Sequence, residues 1–236
     1  MLLETSSPPL EILFEQDDLI AINKPHGLLV HQSRIARDAD VFAVQLLRDQ
    51  IGQKVYPVHR LDRKTSGVLL FAKTKTRNAQ MQQIFRERQI QKTYKAIVRG
   101  YLDEAGKIDY ALTNEGKTKD AQTDYHRLQQ FEIPLSSGKY ASSRYSLALL
   151  KPHTGRFHQL RKHLAHIQHP IIGDRPHGCN KQNRFWKAQF QMDKMMLHAE
   201  CLAFELDGQA ICITANWSSE FQRVLDILSK YPSFST

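Results

Sequence analysis

The chain has few cysteines, few tryptophans, a deficit of acidic side chains and no long apolar run. Its 236 residues hold three cysteines, two tryptophans and 24 Asp and Glu against 33 Lys and Arg. Cys179, Cys201 and Cys212 are odd in number and show no CxxC spacing, which argues against a disulfide framework or a cysteine-based zinc site. No apolar stretch approaches the ~18 residues that span a bilayer. Residues 1–9 have neither the basic start nor the apolar stretch of a secretion signal, so the chain is expected in the cytoplasm. A phosphate loop of the GxxxxGKS/T kind and the HExxH zinc signature are also missing.

What is present is positive charge. The net charge is +9. Between Arg60 and Arg99 eleven Lys and Arg face only Asp62 and Glu87, a local excess equal to that of the whole chain. Solvated helix faces interleave cations with acids at i, i+4, and this segment does not, so a polyanion such as nucleic acid is the expected partner. The length suits one sheet-rich domain of roughly 200–250 residues, and we expect residues 1–236 to form a single catalytic domain.

Alternating and helical apolar patterns place a hairpin over residues 11–25, a helix over 41–51 ended by Gly52, and a second helix over 76–88. Strands follow at 92–101, 107–112, 123–133 and 143–150, then a helix at 156–168, strands at 197–205 and 210–215, and a last helix after Ser218. Residues 103–116 and 134–139 read as loops, His31–Asp40 as a polar stretch. Strands come in runs without regular βαβ alternation, which predicts an α+β fold with a mixed, largely antiparallel sheet and flanking helices.

Two polar constellations exceed what packing needs. The first, HRLDRKTSG (His59–Gly67), lies between the apolar runs at 55–58 and 68–71 and sets Asp62 among Arg60, Arg63 and Lys64. In isolation this is a solvated turn. A carboxylate so placed is also expected to stay charged, fit to act as nucleophile or general base but not as proton donor. The second spans residues 150–178. There Leu160, Leu164, Phe157 and Ile167 can face a core, while Arg161 is placed to hold a neighbouring carboxylate with two parallel hydrogen bonds. If that carboxylate is Asp62, the two constellations form one site. His163, His166 and His169 drift around the helix at i, i+3, i+6 with no acid before Asp174, so no metal is expected. One Asp without a second carboxylate fits neither two-metal nuclease nor glycosidase chemistry, and points to a reaction without net hydrolysis or redox change and without a cofactor.

HRLDRKTSG resembles the catalytic motif of the RluA-type pseudouridine synthases. NKPHGLLVH (Asn23–His31) is similar to the family's first motif, KTYKAIVRG (Lys92–Gly100) to its tyrosine-bearing strand, TGRFHQLRKHLAHIQHPIIGD (Thr154–Asp174) to its arginine-bearing segment, and Met196–Ala199 to its last apolar motif. These blocks keep the family's order over roughly residues 11–215. The stretches DQIGQKVYPVHRLDRKTSGVLL, GKYASSRYSLALLKPHTGR and GDRPHGCNKQNR, with His177 where most relatives carry Tyr, are similar to a branch that modifies uridine 65 of tRNA. An N-terminal S4-like RNA-binding domain is not expected, since the first motif starts near Met1 and the preceding LLETSSPP is polar and without a motif.

The resemblance implies that a uridine is flipped out of tRNA, detached at N1 and rejoined to its ribose through C5. It assigns catalysis to Asp62, Tyr94 and Arg161: Asp62 attacks the sugar or takes a sugar proton, Arg161 pairs with it, and Tyr94 stacks on the base. Arg60, Leu197, Lys24 and His59 are expected at the substrate, Leu197 as a pocket wall and Arg60 filling the space the base leaves. The expected agent is a cofactor-independent monomer acting on tRNA. The same chemistry on ribosomal RNA or on several RNAs, and an RNA-binding module without activity, are the competing readings.

Overall fold

The computed structural model describes residues 8–31 and 41–233; the polar N-terminal extension and most of His31–Asp40 lie outside them. Two strands, β1 (Ile12–Glu15) and β2 (Leu19–Lys24), form the expected hairpin and lead to helix α1 (Ala43–Ile51). Gly52 ends α1 in the left-handed conformation, its N–H returning to the Arg48 carbonyl. The short β3 (Tyr56–Pro57), the HRLDRKTSG turn and β4 (Ser66–Ala72) precede α2 (Lys75–Arg86), whose first turn is capped by Thr74 Oγ1 accepting from Arg77 N at 3.1 Å.

Strands then dominate: β5 (Gln91–Arg99), β6 (Ala105–Asp109), β7 (Leu112–Asn114), β8 (Lys117–Lys119), β9 (Gln122–Ile133) and β10 (Ser143–Pro152). Helices α3 (Gln159–His166) and α4 (Asn180–Phe190), strands β11 (Leu197–Leu206) and β12 (Gln209–Thr214), and α5 (Ser219–Ser229) complete the order. A ten-stranded sheet runs β1-β2-β4-β11-β5-β10-β9-β6, with β12 on β11 and β3 on β4, and β7-β8 form a separate pair. Among the described residues β4 and β11 are the one parallel strand pair, so the sheet is mixed and mainly antiparallel, as expected.

Three expectations need correction. The strand expected at 107–112 is β6, displaced to 105–109 and paired in the main sheet, and the loop expected after it enters the β7-β8 hairpin, which turns at Glu115 and Gly116, both at positive φ as a tight hairpin turn demands. Helix α3 starts at Gln159 rather than 156, because His158 sits at φ 56° and the Gln159 amide oxygen takes the Arg156 N–H. That later start leaves Phe157 46% exposed instead of in the core. Helix α4 has no counterpart in the sequence reading, since its polar surface hides a narrow buried stripe of Gln182, Phe185 and Trp186.

Every residue of β4 is buried, its alternate side chains entering two different apolar clusters, one with Met81 and Leu202 and one with Leu47 and Ile20. A strand covered on both faces reads as an unbroken apolar run, which is why 68–71 shows no alternation. At the start of β4, Gly67 has φ 109° and lies against β11 so closely that a Cβ would stand 2.1 Å from the Ala199 carbonyl oxygen. The only glycine of HRLDRKTSG is therefore the residue that lets the parallel β4–β11 pair form directly after the turn. We expect Gly67→Ala to cost about 3 kcal/mol or more in urea unfolding, from backbone strain plus overpacking. Gly208→Ala, at similar φ but with open space around it, should cost about 1 kcal/mol; equal losses would contradict the close-approach argument.

Candidate active site

The HRLDRKTSG turn is fastened from below by Lys24. This side chain is fully buried, and its ammonium donates to the carbonyls of Pro25 (2.9 Å), Leu28 (2.8 Å) and Arg63 (3.1 Å). Burial pulls its pKa down to about 7, opposed by the negative charge of Asp62. Gly27 N donates to the Arg63 carbonyl and Arg63 Nε to the Gly27 carbonyl, so the first motif and the turn are tied by backbone as well. Lys24 was expected at the substrate; its amine instead lies under the turn and fixes it.

His59 also departs from expectation. Its Nε2 accepts from Leu70 N at 3.1 Å and its ring stacks on Phe85, so it anchors the turn to β4 and α2 and is not brought to the carboxylates. An acceptor Nε2 requires the neutral ring, and burial holds the pKa down near 3, helped by the charge of Lys92. Arg60 stands exposed on the turn.

Asp62 meets its partner from the other constellation. Arg161 Nη1 is 3.0 Å from Asp62 Oδ2, joining residues 99 apart in sequence. The two parallel bonds expected of Arg161 go elsewhere: Nε and Nη2 engage Oδ2 and Oδ1 of Asp174 at 2.8 and 2.7 Å. Burial disfavours the guanidinium's charge, but its bonds to Asp174 and then Asp62 outweigh that and raise its pKa. The cation bonded to Asp62 thus comes from the other constellation. Lys64 sits near Arg175 and Arg161, where burial and these like charges lower its pKa. Asp174, itself 1% exposed, is the functional residue the sequence reading passed over. Its signal was available: a buried Arg in an acid-poor segment needs a counter-charge, and Asp174 is the one acid there.

His158 Nε2 lies 3.8 Å from Asp62 Oδ2, and its Nδ1 is 2.9 Å from Nε2 of His177. Burial lowers the His158 pKa to about 4 against the opposing pull of Asp62, so the imidazole is neutral at pH 7. Tyr94 on β5 stands across from Ala199, and Leu197 is on the neighbouring β11. Tyr94 is half-buried, its phenol pKa raised by burial and by the charge of Asp62; Leu197 is buried. The structure thus gathers Asp62, Arg161 and Tyr94, and adds Asp174 and His158.

The three helix histidines scatter. His163 bonds Thr123 and the Tyr110 carbonyl, His166 stacks on Tyr110, and His169 bonds the Arg99 carbonyl. The basic block is also less free than its sequence suggests, because acids from elsewhere return to it: Lys73 pairs with Glu15, Arg77 with Asp18 and Asp207, and Lys95 with Glu200.

Residues 18–166 match the sequence model of the family described as RNA pseudouridylate synthase. The chain belongs to this family. It is 47% identical over 230 residues to tRNA pseudouridine synthase C of Yersinia pestis, covering 92% of this chain and 90% of that one. A protein of the same name from Haemophilus ducreyi is also 47% identical over 230 residues, at 92% and 95% coverage. Among solved structures, human RNA pseudouridylate synthase domain containing 1 superposes with a TM-score of 0.73 at 24% identity, covering 99% of this chain and 100% of that one, and shows the same fold. The α+β mixed sheet is that of a pseudouridine synthase, and the activity is an isomerisation of uridine in RNA.

We expect three half-buried imidazoles to make this family member sensitive to acid. His26, His59 and His158 have pKa values lowered to about 4, 3 and 4, by burial first, while in the unfolded chain they titrate near 6.5. The unfolded state therefore binds more protons below about pH 6.5, and stability falls as pH drops from there toward 4. Each contributes up to about 1.4 kcal/mol per pH unit. Urea unfolding at pH 7, 6 and 5 checks this, and His59→Gln should flatten the slope by roughly one proton.

Proposed function

We propose that the chain converts a uridine of tRNA, at position 65, to pseudouridine, with Asp62 as the group that acts on the sugar. The observation that carries the substrate is the 47% identity to relatives named tRNA pseudouridine synthase C over nearly the whole chain. Position 65 rests on the likeness of the three longer stretches to that branch. In the reaction the N1–C1′ bond breaks, the uracil turns, and a C5–C1′ bond forms. The proton lost from C5 is matched by one gained at N1, so the balance requires no oxidant, hydrolytic water, metal or cofactor.

The geometry supports a role for Asp62 because its carboxylate is 22% exposed, open to a substrate, while Arg161 holds it through Oδ2. Oδ1 is then the oxygen available to the ribose, either to bond to C1′ as uracil leaves or to take a sugar proton. Flipping the uridine costs a few kcal/mol of unstacking, which Tyr94 offsets by stacking on the base, with Leu197 as a wall. Arg60, exposed on the turn, fills the gap left in the RNA. Cations outside the paired block, among them Arg175, Arg184 and Lys187 around one depression beside Gly173, supply phosphate contacts. The enzyme works in this reading as a monomer in the cytoplasm; among the described residues no helix is long and apolar enough to cross a membrane.

The test is to incubate the protein with unmodified tRNA and ribosomal RNA transcripts and map pseudouridine at nucleotide resolution. We expect product in tRNA at position 65; product only in ribosomal RNA would overturn the substrate. Asp62→Ala should lose at least about a thousandfold in turnover while its RNA affinity stays within about twofold, since it removes a negative charge from an RNA-binding surface. Normal turnover in that variant would overturn the role of Asp62.

A further inference from the structure

A second depression, of about 440 Å³, lies between the β7-β8 hairpin and α3. Tyr110, Thr113, Lys162, His166 and His177 are among its walls. Two features set it apart from ordinary surface. Tyr110 is 45% exposed and stacks on the exposed His166, ring centres 3.7 Å apart and planes within 16°. Neither ring belongs to an apolar cluster of the core. The backbone under the ring is bonded on both sides: the Tyr110 N–H donates to the Ala121 carbonyl at 3.1 Å, and its carbonyl accepts from His163 Nε2 at 3.0 Å. A stacked aromatic pair whose tyrosine is nearly half exposed offers a platform.

Contacting side chains link the depression to the active site. His177 lines it and is bonded to His158, whose other ring nitrogen faces Asp62. Two imidazole rings, centres 5.1 Å apart, thus connect the platform side to Asp62. The charge nearby favours a polyanion: Lys162 donates to the Thr113 carbonyl at the rim, and β8 adds exposed Lys117 and Lys119 against Glu115 at the hairpin tip.

We propose that this depression seats a nucleotide next to the target uridine in the same RNA strand, its base stacked on the Tyr110–His166 pair and its phosphate beside Lys162. The physical need is direct. Flipping the uridine takes away the stacking partner of its neighbour, and a rigid aromatic pair within reach of the flipped base replaces that partner. The platform is indifferent to base identity, because every base has a π face, so it adds affinity and places the strand without reading sequence. This inference rests on the RNA-modifying reading above and extends it to a named contact outside the catalytic residues.

The test separates binding from chemistry. Affinity for unmodified tRNA transcripts and the single-turnover rate at saturating RNA are measured for the wild type, Tyr110→Ala, Tyr110→Phe and His166→Ala, with circular dichroism and melting confirming the fold. We expect Tyr110→Ala to weaken RNA binding about tenfold and His166→Ala to weaken it less, both with saturating rates within about twofold, while Tyr110→Phe binds as the wild type does. With 2-aminopurine placed on either side of the target, one position should be quenched on binding the wild type and Tyr110→Phe but not Tyr110→Ala. Unchanged affinity in both alanine variants, or a loss confined to the saturating rate, would overturn the subsite. Tyr110-dependent binding without any pseudouridine in tRNA would instead overturn the substrate reading and leave the subsite standing.

Discussion

The buried guanidinium of Arg161 stands between two carboxylates and is divided unequally between them. Asp174 takes the planar fork through Nε and Nη2, and only Nη1 is left to point at Asp62. Removing an arginine from water is costly unless its donors are satisfied, and here burial of the cation is offset by a carboxylate that is itself buried. Asp174 thereby fixes the plane of the guanidinium, and the single remaining bond fixes Asp62. The Asp62 carboxylate can stay partly open because its partner is oriented from behind.

The fold supplies both halves of this arrangement from distant parts of the chain. Lys24 and His59 hold the Asp62 turn against β4 from inside, and Gly67 lets β4 run directly from that turn into close contact with β11. From the other side, the strained start at His158 sets where α3 begins and so which face carries Arg161. The β5–β11 register sets Tyr94 and Leu197 on neighbouring strands of the same sheet. In the proposed reading the RNA strand meets two depressions, the platform lined by His177 and the cations around Gly173, and each is lined by a close chain neighbour of Asp174.

Much of this was legible in the residues. The β1-β2 hairpin, α1 with its Gly52 stop, α2 and α5 follow from apolar spacing and caps, and the meeting of Asp62 with Arg161 was the expected joining of two polar constellations. Less legible were features whose cause is tertiary. Helix α4 buries only three neighbouring side chains, too narrow a stripe to stand out among its polar residues. Lys24 and His59 belong to the right motifs, yet burial turned them from substrate contacts into fasteners. The charge block at 60–99 exaggerated the free positive surface, because its partners Glu15, Asp18, Glu200 and Asp207 come from other strands and turns. Asp174 was visible as an acid but not as a clamp, since sequence shows composition and not which donor of a fork faces which acceptor.

The central claim is that Asp174 acts on Asp62 through Arg161, and a double-mutant cycle on Asp174→Asn and Arg161→Lys tests it most directly, with kcat and RNA affinity measured separately. If the clamp is the cause, each single variant lowers kcat with affinity little changed, and the double variant is hardly worse than Arg161→Lys alone, a coupling of about 1–3 kcal/mol. Strictly additive losses, or an Asp174→Asn enzyme with wild-type kcat, would show that Asp62 is oriented without Asp174 and would contradict the account.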